Sequence, residues 1–315
     1  MRVAVVIPCF NVQDHLRVAL NSVLQQDHTD LDIVCVDDGS TDGSAALLAE
    51  MAAQHPQCVR VHTQPNKGAA AARNEGLRLT TGAYVQFLDA DDLLLHDKIS
   101  AQLRLAQEGG LPDVIIGDFE QVMPNGLLLP ALAEYDHPWM GLIKTRMGTT
   151  SANLWKRTAL EAVGGWREDL LSSQDYDLLF RLLKNDARIA WDRRIATQVL
   201  KRASGSISQS SVSENWDRYL ELRIAIKDHL SQRDPVRFKE EIEALRQYIF
   251  MALRIVAAED LPKAKRLYAG AIGSGFRPEV GRAITERYAL LHNLLGFGTT
   301  ERLLRALNRP RPQEP

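Results

Sequence analysis

The chain opens on VAVVIP (3–8), an apolar run rich in β-branched residues with no polar interruption. Such continuity fits a strand buried on both faces of a parallel sheet. The spacing then changes, and Leu16, Leu20, Val23 and Leu24 fall on one face of a helix. LDIVCV (31–36) returns to a strand pattern, followed by a turn where Ser40, Thr41 or Asp42 can cap a second helix. CVRVHTQ (58–64) predicts a third strand, and NKGAAAARNEGL (66–77) a loop running into an alanine-rich helix. YVQFLDADD (84–92) predicts the fourth strand and DVIIGDFE (113–120) the fifth. This alternation predicts right-handed βαβ units in an α/β, doubly wound, mainly parallel sheet.

Beyond about residue 212 the strand pattern stops. Tyr219, Leu222, Ile226 and Leu230 form one helical stripe. Phe238, Ile242, Leu245, Ile249 and Leu253 form a second, and Ile284, Tyr288, Leu291 and Leu295 a third. The expected organisation is a domain over 1–212, in halves 1–110 and 111–212, and a C-terminal helical appendage over 213–315.

Composition narrows the function classes. With 315 residues and 45% hydrophobic content, the chain can bury a large core. A formal net charge of −2 gives no global attraction to nucleic acid. Cys9, Cys35 and Cys58 lie far apart and read as thiols in a reducing compartment, not as a disulfide framework. The N-terminal apolar run is too short for a signal peptide, and no apolar stretch reaches the roughly 18 residues a spanning helix needs. A cytoplasmic protein is expected.

The chemistry gathers where the strands end. Ligands of doubly wound sheets bind beyond the carboxyl ends of the strands. Pro8, Phe10 and Asn11 close the first strand, Asp37 and Asp38 the second, and Asp89, Asp91 and Asp92 the fourth. P-C-F-N follows the first strand, so the glycine-rich dinucleotide fingerprint is missing there, and the G-x-x-x-x-G-K-[ST] phosphate loop is absent. A nucleotide held at this edge needs another phosphate partner, and Mg²⁺ or Mn²⁺ on carboxylates suits that task.

Five blocks, V-V-I-P-C-F-N, V-D-D-G-S-T-D-G-S, N-K-G-A-A-A-A-R-N-E-G, F-L-D-A-D-D and G-G-W-R-E-D…S-Q-D-Y-D-L-L-F-R-L, stand in one order across residues 1 to about 210. Together they resemble the family 2 glycosyltransferases of GT-A fold. The resemblance implies inverting transfer of a sugar from a nucleotide diphosphate donor, usually a UDP-sugar, with Mn²⁺ or Mg²⁺ as cofactor. It implies a saccharide or lipid-linked acceptor hydroxyl, in polysaccharide or glycoconjugate synthesis. It places the metal ligand at Asp91 with Asp89 in support, in the D-x-D block through Ala90. It places donor contacts at Pro8, Phe10, Asn11, Asp38, Lys67, Gly68 and Arg73, and the general base at Asp175. Gln174, where many members carry glutamate, and Trp166 fall on the acceptor side. Around 200–208 the family often places a histidine that this chain lacks, leaving Arg202 and Ser206 as diphosphate candidates.

Plainer readings stand beside these. Asp92 and His96 can cap the following helix, Phe10 can be core, Arg73 a surface cation, and Asp175 a helix cap. Two rival functions are a nucleotidyltransferase and a non-catalytic nucleotide-sugar-binding scaffold. From Arg277 onward arginines interleave with Phe297, Leu303, Leu304 and Leu307. This tail reads either as a solvated end or as a peripheral contact with the anionic inner face of a membrane.

Overall fold

A computed structural model describes residues 1–201, 212–281 and 283–307. The chain divides into two compact units, Met1–Gln209 and Ser210–Pro315.

In the first unit β1 (Val3–Cys9), β2 (Leu31–Asp37), β3 (Val59–Thr63) and β4 (Tyr84–Phe87) lie parallel in the order β3-β2-β1-β4. The helices α1 (Gln13–Leu24), α2 (Ser44–Gln54) and α3 (Ala69–Leu79) connect them. β1 is central and all but buried, as its continuous apolar run requires: Val3, Val5 and Ile7 face Leu16, Leu20 and Val23 of α1 in one core. Gly76 on α3 permits close packing on β1, since a Cβ there would stand 2.2 Å from a Val6 methyl.

The second half of the sheet departs from simple winding. After the two-residue β5 (Leu93–Leu94) and α4 (Lys98–Glu108), β6 (Val114–Val122) does not pair with β4. A three-residue strand, β8 (Leu154–Lys156), enters between them and is antiparallel to both. β9 (Ile189–Leu200) then runs parallel to β6, and β7 (Leu128–Ala131) folds back on β6 as a hairpin. The sheet is therefore mixed, of nine strands among the described residues, parallel on one side and antiparallel around β8. The fourth strand stops at Phe87, before the aspartates, so Asp89–Asp92 form the turn beyond its carboxyl end.

One core feature runs against its residue type. Lys98, at the start of α4, is fully buried and donates to Gln86 Oε1 and the Asn153 carbonyl. Burial lowers its ammonium to about 7, against the opposing pull of Asp192.

The second unit is helical: α8 (Val212–Arg233), α9 (Lys239–Glu259), α10 (Leu261–Ala271), α11 (Glu286–Leu295) and α12 (Phe297–Leu307). Its core is an aromatic cluster around Phe250, which meets Tyr268, Phe276, Tyr288, His292 and Phe297 at centroid distances of 5.0–6.3 Å. Burial holds His292 below the ordinary histidine range, so Tyr268 Oη and His292 Nε2, 3.0 Å apart, bond around a ring kept neutral. Phe297 belongs to this core at 3% exposure, so it is not available to the tail surface the sequence pattern suggests. The tail beyond Leu307 lies outside the described residues. Phe250→Ala is expected to lower the stability of this unit by about 3–5 kcal/mol, the usual scale for emptying a buried phenylalanine site. Urea unfolding would measure it; a loss under 1 kcal/mol would mean that the cluster does not form the core.

Candidate functional site

Three parallel strands deliver their polar ends to one edge. At the end of β1, Asn11 takes a left-handed conformation (φ 51°), which an asparagine tolerates. Its Oδ1 accepts from the Thr41 amide at 2.8 Å, and its own amide donates to Ser40 Oγ at 3.1 Å. The β1–α1 and β2–α2 loops are thus joined. Phe10 beside it is 46% exposed, which removes it from the core and leaves its ring at the open edge, with Pro8 half-buried behind.

At the end of β2, Asp37 Oδ1 accepts from the Ser40 amide and supports the turn. Asp38 closes a different loop. Its oxygens accept from Gln64 Nε2 (2.7 Å), Lys67 N (2.9 Å) and Gly68 N (2.7 Å). A carboxylate has room for about four such bonds, so Asp38 keeps capacity for about one donor from a ligand. Gly68 stands at φ 91°, a conformation that side chains resist, and a Cβ built on it meets no atom within 4 Å. The space above this helix start is open.

At the end of β4, the turn Asp89–Asp92 is held from inside. Ser151 Oγ accepts from the Asp89 amide at 3.1 Å and donates to Asp92 Oδ2 at 2.6 Å. Leu200 N, at the end of β9, donates to Asp92 Oδ1. Asp92 is buried and serves this packing, not the capping of α4, whose N-cap is Asp97. Burial first, and then the charges of Asp89 and Asp91, push its carboxyl well above the usual range. Asp89 and Asp91 remain partly exposed.

Arg73 crosses from this edge to the second half of the unit. It is 7% exposed on α3 and is no surface cation. Its Nη2 donates to Asp89 Oδ1 at 2.7 Å and its Nη1 to Gln174 Oε1 at 3.0 Å, while its guanidinium lies 4.7 Å from the Trp166 ring. Gln174 passes its own amide to the Leu170 carbonyl, so both ends of that side chain are engaged. Trp166, assigned by the resemblance to the acceptor side, is only 2% exposed. It packs edge-on to Phe87 and Trp155 and supports Arg73 from below. Gln174 likewise acts on Arg73. Among the described residues, Arg73 Nε and Trp166 Nε1 are buried without an acceptor, each an unmet cost of roughly 1–3 kcal/mol.

Asp175 follows Gln174 in the first turn of α7 (Gln174–Lys184), whose N-cap is Ser173 in the left-handed conformation. Asp175 Oδ1 accepts from the next amide, Tyr176 N, at 3.0 Å. Its surface is partly open, yet the protein around it is dense enough that desolvation raises its carboxyl above the usual range. The Tyr176 amide and Arg73 oppose that rise. The turn before α7 is braced from both sides. Asn74, next to Arg73, bonds the Trp166 backbone through both ends of its amide, and Arg181 Nη1 donates to the carbonyls of Val163 and Gly165. Gly165 (φ 69°) cannot carry a side chain there, because its Cβ would stand 2.6 Å from Asn74 Oδ1.

The residues expected at the donor edge, at Asp89–Asp91 and at Asp175 therefore lie in one unit, linked through Arg73. Arg202 and Ser206 lie outside the described residues. Among the described residues no three His, Cys, Asp or Glu side chains are grouped to hold a metal ion. The crowding of negative charge at Asp89–Asp92 fits a hard cation completed by ligand oxygens and water, since Asp92 turns inward and Asp89 is shared with Arg73.

Residues 4–154 match the family model described as glycosyl transferase family 2. TuaG of Bacillus subtilis, named as a glycosyltransferase, is 38% identical over 106 residues, 34% of this chain and 42% of its own length. YibD of Escherichia coli, likewise named, is 37% identical over 110 residues, 35% of this chain and 32% of its own. The matched segment thus spans a third to two fifths of these relatives. Among solved structures, Staphylococcus aureus TarS (1–349) superposes at TM-score 0.66 with 17% identity, covering 99% of this chain and 93% of that one. The mannosyltransferase PcManGT of Pyrobaculum calidifontis, in complex with GDP-Man and Mn²⁺, superposes at 0.54 with 20% identity over 98% and 88%. No helix among the described residues is long and apolar enough to cross a membrane. The mixed sheet with its acidic edge is that of a GT-A fold, and residues 4–154 are similar to the family 2 glycosyltransferases.

Proposed function

We propose that the chain is an inverting glycosyltransferase that moves a sugar from a nucleotide diphosphate donor, a UDP-sugar, to a saccharide or lipid-linked hydroxyl. The observation that carries this reading is the placement of Asp175. A partly open carboxyl whose pKa desolvation raises stands at a helix start, and its neighbour Gln174 is joined through Arg73 to the acidic turn at the opposite side of the site. The structures of TarS with UDP-GlcNAc and UDP support a uridine donor, and those proteins share this fold.

The chain's own groups divide the work. Phe10 and Pro8 offer apolar surface to the base, and Asp38, although buried at 3% exposure, keeps lone-pair capacity for about one further N–H. Lys67 and Gly68 lie on the loop that Asp38 closes, where the open space above Gly68 admits the ribose and diphosphate. Asp91, with Asp89, would hold Mn²⁺ or Mg²⁺, which when bound supplies positive charge against the departing diphosphate. Asp175 takes the proton of the acceptor hydroxyl as its oxygen bonds to the anomeric carbon. The bond from that carbon to the diphosphate oxygen breaks on the opposite face, and the diphosphate leaves with the electron pair. Arg73 steadies Asp89 and, as a nearby positive charge, restrains the rise of the Asp175 pKa.

A base must be deprotonated to act. Because desolvation raises the Asp175 pKa, transfer should fall as pH drops through a value above the ordinary aspartate range, and Asp175→Asn should abolish that limb. At neutral pH the same variant should reduce transfer by roughly 10²-fold or more while UDP binding persists. Its stability separates this role from a cap. A folded-state pKa raised above the unfolded value gives a contribution fully present below the unfolded pKa and lost as pH rises through the folded one. Removing the charge should therefore leave Tm at pH 7 unchanged or higher, whereas loss of a cap lowers stability by about 1 kcal/mol.

Asp91→Asn should instead weaken Mn²⁺-dependent UDP binding in calorimetry. Near-normal transfer by Asp175→Asn, or unchanged metal dependence in Asp91→Asn, would contradict these roles.

A further inference from the structure

Lys98 has no part in the transfer just described, yet it stands where a lysine is least expected. Its neighbours along α4, Ile99, Leu103 and Ala106, belong to the main core. Lys98 itself is 0% exposed, as are Gln86 on β4, Gln102 on α4, and Ser151 and Asn153 just before β8. An ammonium in such a place costs stability that an apolar side chain of like length would not. Local rules broken in this way cluster at positions that serve function.

The buried side chains converge on one short segment. Three successive carbonyls each accept from one of them: Ser151 O from Gln86 Nε2 at 2.8 Å, Ala152 O from Gln102 Nε2 at 3.1 Å, and Asn153 O from Lys98 Nζ at 3.4 Å. Lys98 also donates to Gln86 Oε1. Protonated, it carries donors and no acceptor, so it settles which end of the Gln86 amide faces it. Nε2 is thereby turned to the carbonyls of Phe87 and Ser151. Lys98 thus holds Ser151 through Gln86, and Asn153 directly.

The line ends at the acidic turn. Ser151 Oγ accepts from the Asp89 amide at 3.1 Å and donates to Asp92 Oδ2 at 2.6 Å. Where Ser151 stands therefore decides where Asp89 and the adjoining Asp91 stand. The carboxylate whose charge acts on Lys98 is Asp192, itself held by Arg194. The acidic turn is reached through hydrogen bonds and not through charge. Polar networks closed off from water in this way hold their members rigidly.

We propose that Lys98 is a positioning residue for the donor site, acting through Gln86 and Ser151 to set the turn that carries Asp89 and Asp91. This deepens the transfer reading and rests on its assignment of cation and diphosphate to that turn.

Calorimetry of UDP with Mn²⁺ on the full chain tests the link. Lys98→Met keeps the length of the side chain and removes its donors. It should bind UDP with Mn²⁺ about tenfold more weakly than wild type, the scale of one buried hydrogen-bonding group left unpaired. Uridine, which lacks the diphosphate, should bind both chains alike in ligand-observed NMR, a split that general loosening of the fold would not produce. Ser151→Ala should weaken UDP binding likewise. The double variant Lys98→Met/Ser151→Ala should bind no more weakly than Ser151→Ala alone, since the two residues lie on one line. Should Lys98→Met fail to fold, Gln86→Met cuts the line one step further on and carries the same expectation. Three results would overturn the proposal: wild-type affinity for UDP with Mn²⁺ in Lys98→Met, an equal loss of uridine binding, or additive losses in the double variant. Failure of the wild-type chain itself to bind UDP with Mn²⁺ would remove the transfer reading, and this proposal with it.

Discussion

One buried guanidinium organises the catalytic unit. Arg73 reaches Asp89 beyond β4 and Gln174 at the start of α7, two positions 85 residues apart in the chain (174 − 89), and rests on the indole of Trp166. A charge removed from water must be paired and hydrogen-bonded, or it costs several kcal/mol. Here one partner is a carboxylate and the other a neutral amide. The full negative charge stays on the side of the acidic turn, and Asp175 senses Arg73 only through space. A glutamate in place of Gln174 would compete with Asp89 for the same cation.

The rest of the first unit serves to hold that bridge. Asn74 and Arg181 clamp the Gly164–Trp166 turn, which sets the indole beneath Arg73. Ser151 fixes Asp89 and Asp92 at the opposite end. The insertion of β8 between β4 and β6 brings Trp155 against Trp166, so the antiparallel part of the sheet supports a site whose donor edge is parallel. The acidic turn and the helix start at Asp175 share one unit, and α3 and α7 fix their separation.

Much of this was legible in the sequence, and the remainder has physical reasons for being hidden. β1 announces itself by an unbroken apolar run and β2 by the run IVCV (33–36), and the aspartates at their ends follow from where such strands stop. β5 and β8, at two and three residues, are too short to show any periodicity. The burial of Arg73 and Lys98 could not be read, because an arginine in an alanine-rich helix and a lysine opening an amphipathic one both look like solvated residues. Trp166 was equally ambiguous, since a tryptophan suits a sugar face or a core. The exposure of the leucines at 127–132 was hidden too, since that stretch has no clear period.

The most direct test of the bridge is a double-mutant cycle between Arg73→Met and Gln174→Leu, read by urea unfolding. If the two side chains act as one connection between the acidic turn and the helix that carries Asp175, their effects should be non-additive by about 0.5–3 kcal/mol. Additivity within about 0.3 kcal/mol would show two independent contacts and contradict the account.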